Sequence, residues 1–172
     1  MEIIRDLLLL GLIAAGGVWD VRTGRIPNAL TYPGILLGLL GGWLGFGVPF
    51  RSCLLGFAVT FLPFLAAYAL GWMGGGDVKL IGAVGALRGY PFALYAMFYA
   101  VFAGGLMALL LLLWKGRLGE SLGDGFRYVG QLLRRGVKPE PLQRIGGSVP
   151  FGVAICFGTL VTIVLELRAL AM

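Results

Sequence analysis

Five apolar runs divide this chain: Ile3–Trp19, Asn28–Phe46, Cys53–Trp72, Phe92–Trp114 and Val149–Leu170. Each is close to the roughly 20 residues that a helix needs to cross the hydrocarbon core of a bilayer. A chain that spends most of its length this way must satisfy its backbone polar groups inside each segment, which helices do. The composition agrees. Hydrophobic residues make up 59% of the chain and charged residues only 13%, against roughly 25% charged in an ordinary soluble domain. The expectation is an all-α, polytopic membrane protein, one domain over residues 1–172, with the lipid bilayer as its surroundings.

A sixth run, Val78–Leu87, is too short to span comfortably. Hydropathy alone also allows a re-entrant segment. The cations decide for six spans. If the short run crosses, Arg22, Arg25, Lys79, Lys115 and every cation of a polar loop at about 115–148 share one side, and Arg5, Arg51, Arg88 and Arg168 take the other. The richer side is then cytoplasmic by the positive-inside tendency. If the run does not cross, the long basic loop opposes Arg22 and Arg25. The opening residues Glu2, Arg5 and Asp6 make a poor signal-peptide n-region, so an uncleaved first span is expected. Within the polar loop, Phe126, Val129, Leu132 and Leu133 recur at helical spacing among Arg127, Arg134 and Arg135. Two readings stay open there: an amphipathic helix on an anionic leaflet, or a solvated connector.

Several chemistries are excluded. Histidine is absent, which removes Ser-His and Cys-His nucleophile pairs and HExxH zinc hydrolysis. Cys53 and Cys156 lie in apolar runs with no CxxC spacing, so no metal site and no cofactor is expected. The 14 basic residues against 8 acidic ones are read as topology signals, and no nucleic-acid partner is expected.

The acids are few, and two of them coincide. Asp20 closes the first run and Asp77 opens the fourth, so the six-span frame brings both to the cytoplasmic boundary. Carboxylates at such a place are functional-site candidates by default. Each also has a plainer account: Asp20 as a solvated helix end, Asp77 as an acid favoured by a helix N-terminus. Gly74 and Gly76, in GGGD, keep the backbone before Asp77 bare enough for an extended peptide to lie against it. Lys79 either favours the charged form of a nearby carboxylate or grips substrate, or is a snorkelling anchor; Arg25 is a topology signal first, and Asn28 a loop-orienting residue or a cap for the second helix. Pro27 sets the start of that helix.

Two adjacent carboxyls hold one proton between them over a range of pH. One can activate a water while the other polarises a peptide carbonyl, without histidine or metal. An alternative of another class is a small transporter or channel subunit whose aspartates carry protons or a cation.

The segments Asp20 with Arg22–Asn28 (RTGRIPN), Gly74–Leu80 (GGGDVKL, with its GxGD) and the late Val149–Ile155 (VPFGVAI) resemble the type IV prepilin peptidases. That resemblance implies a bacterial intramembrane aspartic endopeptidase of the inner membrane, with Asp20 and Asp77 as the catalytic pair. Its substrates would be prepilins or pseudopilins, cut at the cytoplasmic face. It also implies that the long loop lies near the substrate's charged leader. Larger members of that family carry an N-terminal region with paired CxxC motifs, so a minimal, peptidase-only form is the expectation here. The presenilin-type GxGD proteases are more remote: Trp19 stands where they have tyrosine, and no Pro-Ala-Leu follows.

Overall fold

Prolines open these helices and glycines close them. Pro27, Pro49 and Pro91 sit at helix N-caps and Pro150 directly precedes the last helix. Proline has a fixed φ and no N–H to leave unpaired at a helix start. Gly24, Gly45, Gly71, Gly89 and Gly116 follow the first five helices, each with positive φ, the backbone that ends a helix most cheaply at glycine. The computed structural model describes residues 2–45, 47–116, 119, 123, 130, 131, 150–170 and 172. Among them run α1 (Glu2–Thr23), α2 (Asn28–Trp43), α3 (Phe50–Ala69), α4 (Gly75–Arg88), α5 (Phe92–Trp114) and α6 (Phe151–Leu170), with no strand.

Three expected boundaries move for these reasons. The first run does not end at Asp20: α1 continues to Thr23, and the Gly24 N–H closes it by donating to the Asp20 carbonyl at 2.8 Å. The second helix stops at Trp43, short of Phe46, before the turn at Gly45. The third begins at Phe50 behind Pro49 and ends at Ala69, ahead of Gly71. Pro63 lies inside it without ending it.

The short run is the centre of the bundle. Every residue of α4 from Val78 to Leu87 except Lys79 is buried, and all five other helices pack on it. Small residues make the close crossings possible, as in membrane helix packing. A methyl group at Gly38 of α2 would stand 2.5 Å from the Ala86 carbonyl carbon, and one at Gly85 would collide with the Gly56 carbonyl of α3. Gly82 faces the stacked rings of Phe57 and Phe61.

Neighbouring helices in sequence run in opposite directions. α4 starts near Asp20 of α1 and finishes where the Leu87 carbonyl accepts from Arg5. There Arg88 pairs with Asp6 of α1 at 2.8 Å and with Glu166 of α6. So α4 travels beside α1 from one end to the other, about 21 Å at ~1.5 Å per residue. By length and composition, α3, α5 and α6 are apolar enough to cross a membrane. α4 needs neither quality, because its neighbours shield it from lipid. The outer faces of the bundle carry the exposed apolar side chains, among them Leu36, Leu62, Phe98 and Phe102. The loop at 115–148, and the amphipathic helix expected around Phe126–Arg135 within it, lie outside the described residues except at 115, 116, 119, 123, 130 and 131.

Candidate active site

Asp20 sits one turn before the end of α1 and is only 7% exposed. Its carboxylate is not left alone there. The Gly152 N–H donates to Oδ2 at 2.7 Å, and the Val153 N–H donates to the same carboxylate. These two N–H groups belong to the first turn of α6, where a helix has no partners of its own for them. Pro150, the residue ahead of α6, offers no side-chain acceptor, so Asp20 caps α6 from another helix. The helix dipole favours a negative group at that place.

Asp77 occupies the third position of α4, with Gly74 as the N-cap. Its carboxylate reaches back and accepts from the Gly74 N–H, the half of a capping box that an acid at this position supplies. Its Oδ1 is buried with no hydrogen-bond partner among the described residues. Asp20 is near enough to act on Asp77 electrostatically. Two helices remote in sequence thus bring two carboxyls together at one end of the bundle.

The glycines before Asp77 pack against the chain itself. A methyl group at Gly76 would lie 3.0 to 3.2 Å from the Cβ, N and O of Ile26. The space expected to receive a peptide at Gly76 is therefore held by the protein's own loop, and Gly76 shapes that loop. A methyl group at Gly74 would come 3.1 Å from Asp77 Oδ2, so bareness there leaves room for the carboxylate.

The Arg25–Asn28 loop lies over this turn. Ile26 is buried, while Arg25 is exposed. The Arg25 N–H donates to the Thr23 hydroxyl at 3.3 Å, and that hydroxyl donates back to the Trp19 carbonyl at 2.9 Å. Pro27 takes the N-cap of α2 in extended backbone, and α2 has no side-chain cap. Asn28 therefore does not cap its helix. Its Oδ1 accepts from Lys79 Nζ at 2.7 Å, and the ammonium lies 4.8 Å from the centre of the Tyr32 ring. Lys79 is two positions from Asp77 and so faces another side of α4, where it joins the starts of α2 and α4.

The pairing of Gly152 and Val153 with Asp20 was not read from the sequence. The available signal was a helix start, Pro-Phe-Gly, with no Ser, Thr, Asp or Asn to cap it, which calls for an acceptor from elsewhere. Among the described residues no group of three or more His, Cys, Asp or Glu side chains is placed to hold a metal ion.

Comparison with known proteins bears on this arrangement. A prepilin leader peptidase/N-methyltransferase from Myxococcus xanthus (strain DK1622) is 32% identical over 126 residues, covering 69% of this chain and 37% of that protein. A prepilin leader peptidase/N-methyltransferase from Xanthomonas campestris pv. campestris is 32% identical over 113 residues, covering 62% of this chain and 39% of that protein. The chain thus matches well under half of the length of these curated relatives. No solved structure matches. Residues 7–109 match the type IV leader peptidase family. That match takes in Asp20, Asp77 and the whole of the three helices between Asn28 and Arg88, so the chain belongs to the type IV leader peptidase family.

Proposed function

We propose that this protein is an aspartic endopeptidase that removes the leader of type IV prepilins or pseudopilins at the cytoplasmic face of the inner membrane, with Asp20 and Asp77 as its catalytic pair. The observation that carries the reading is the placing of two partly or fully buried carboxyls at the same end of α1 and α4, near enough to act on each other electrostatically, in a chain without histidine. The names of the curated relatives support a prepilin substrate. The cations Arg22, Arg25, Lys79 and Lys115 lie toward the aspartate end, which supports a cytoplasmic site. Both acids stand at the end of the helices and not at their middle, which favours hydrolysis over an ion path across the bilayer.

In this mechanism the pair carries one proton. The ionised member takes a proton from a water molecule as the water oxygen bonds to the scissile carbonyl carbon. The protonated member donates to the carbonyl oxygen, where negative charge develops. Collapse of the tetrahedral intermediate breaks the C–N bond, the leaving amine takes a proton from the pair, and one proton again remains shared. The roles need a geometry fixed within a fraction of an ångström.

The test is co-expression of the full chain with a prepilin, followed by mass measurement of the mature N-terminus. Asp20→Asn and Asp77→Asn each abolish leader removal while the protein still accumulates in the membrane. Asp→Glu at either position also fails, because one added methylene displaces the reacting carboxyl. Wild-type processing by both asparagine variants would refute the reading.

A further inference from the structure

The proposed chemistry gives the start of α6 no role, yet among the described residues it supplies the two backbone donors to the Asp20 carboxylate. Gly152 is central to this contact. Its N–H lies 2.7 Å from Asp20 Oδ2, and a methyl group in place of its hydrogen would lie 2.8 Å from Oδ2, 2.9 Å from the Asp20 Cβ and 3.1 Å from its Cγ. Ordinary contacts of such a carbon begin near 3.4 Å, so any side chain at 152 drives the carboxylate off by about half an ångström, a displacement that matters at a reacting group. Val153 shares its N–H between Asp20 and the Pro150 carbonyl, 3.1 Å away, which leaves the Gly152 N–H as the undivided donor.

We infer that the first turn of α6, through the Gly152 N–H and the absence of a side chain there, is the positioning element that holds the Asp20 carboxylate in register with Asp77. This rests on the peptidase reading, since it gives Asp20 a reacting role. Gly152 is a positioning residue and touches no substrate. The physical logic is economical in donors: the unpaired N–H groups of a helix start orient a carboxylate through rigid backbone, with no flexible side chain between. Because α6 also crosses α5 closely, where Gly158 meets the Ala100 backbone and Gly104 meets the Phe151 ring, its first turn has a fixed height against α1.

The experiment uses the full chain in detergent or liposomes with a prepilin substrate, rates being expressed per folded enzyme after size-exclusion chromatography. Gly152→Ala is expected to lower kcat at least about tenfold with KM within twofold of wild type. On helix propensity alone alanine at 152 would favour α6, so a loss traces to the crowded carboxylate and not to a weakened helix. Wild-type kcat for Gly152→Ala would overturn the inference. A second measurement stands even if that variant does not accumulate. Asp20→Asn keeps an acceptor for the Gly152 N–H and Asp20→Ala does not, so the alanine variant should melt lower than the asparagine variant by roughly 3 °C. Equal midpoints for the two would overturn it as well. The two readings fail separately: normal cleavage by Asp20→Asn sinks the peptidase role of Asp20, whereas loss of cleavage there beside a fully active Gly152→Ala sinks only the positioning role of α6.

Discussion

Lys79 and Asn28 show how a residue's place in the fold can redirect its chemistry. A lysine two positions from a half-buried aspartate invites a role at the reacting centre, but α-helical geometry sends it to another face. There its ammonium is shared between the Asn28 amide oxygen and the face of Tyr32. The bond is exposed, so it contributes modestly despite the charge. Replacing Asn28 and Lys79 by alanine, singly and together, is expected to give a coupling energy of about 0.5–1 kcal/mol in a double-mutant cycle. Thermal unfolding of the four proteins in one detergent measures it, and additive effects would show that the contact is not formed.

At the scale of the helices, glycine does two opposed things in this chain. Where two backbones touch, as at Gly38 against Ala86, a methyl group has no room, and the crossing must open. Gly11 lies within α1 with nothing among the described residues within 4 Å of a would-be side chain. There the residue only gives up helix propensity. Gly38→Ala is accordingly expected to destabilise the fold by about 1–3 kcal/mol, whereas Gly11→Ala should stabilise it by up to about 1 kcal/mol. The same chemical change thus has opposite signs on two helices of one bundle, and a thermal-shift comparison reads both. If both variants shift the midpoint alike, the close crossing of α2 and α4 is not what holds α4 in place.

For the whole molecule, the alternating helices put the aspartates at one end and the Arg88 cluster with Asp6 and Glu166 at the other. If all six helices cross a bilayer, positions 22 and 115 are expected on one side and positions 51 and 90 on the other. The expectation can be tested in a background with Cys53 and Cys156 replaced by alanine. A membrane-impermeant maleimide applied to intact cells should label Arg51→Cys and Tyr90→Cys, and should label Arg22→Cys and Lys115→Cys only after lysis. Labelling of Lys115→Cys in intact cells would mean that α4 or α5 does not cross.

Much of this was legible in one dimension. The apolar runs specify helices because lipid leaves the backbone no other partner, and prolines and positive-φ glycines punctuate those helices where the chain turns. Counting spans placed Asp20 and Asp77 at one depth, since alternation of direction is all that the argument needs. What the sequence could not carry is anything that depends on which side of one helix meets which side of another. Gly76 reads as open backbone until Ile26 is found beside it, and Asn28 reads as a cap until Lys79 takes its oxygen. The uncapped helix start at Gly152 calls for an acceptor but does not name Asp20, because that contact joins residues far apart in the chain and exists only once α1 and α6 are packed side by side. Local pattern determines where helices form and how deep a residue sits; the packed bundle alone decides which donor faces which acceptor, because that choice depends on rotation about each helix axis, set jointly by all its neighbours.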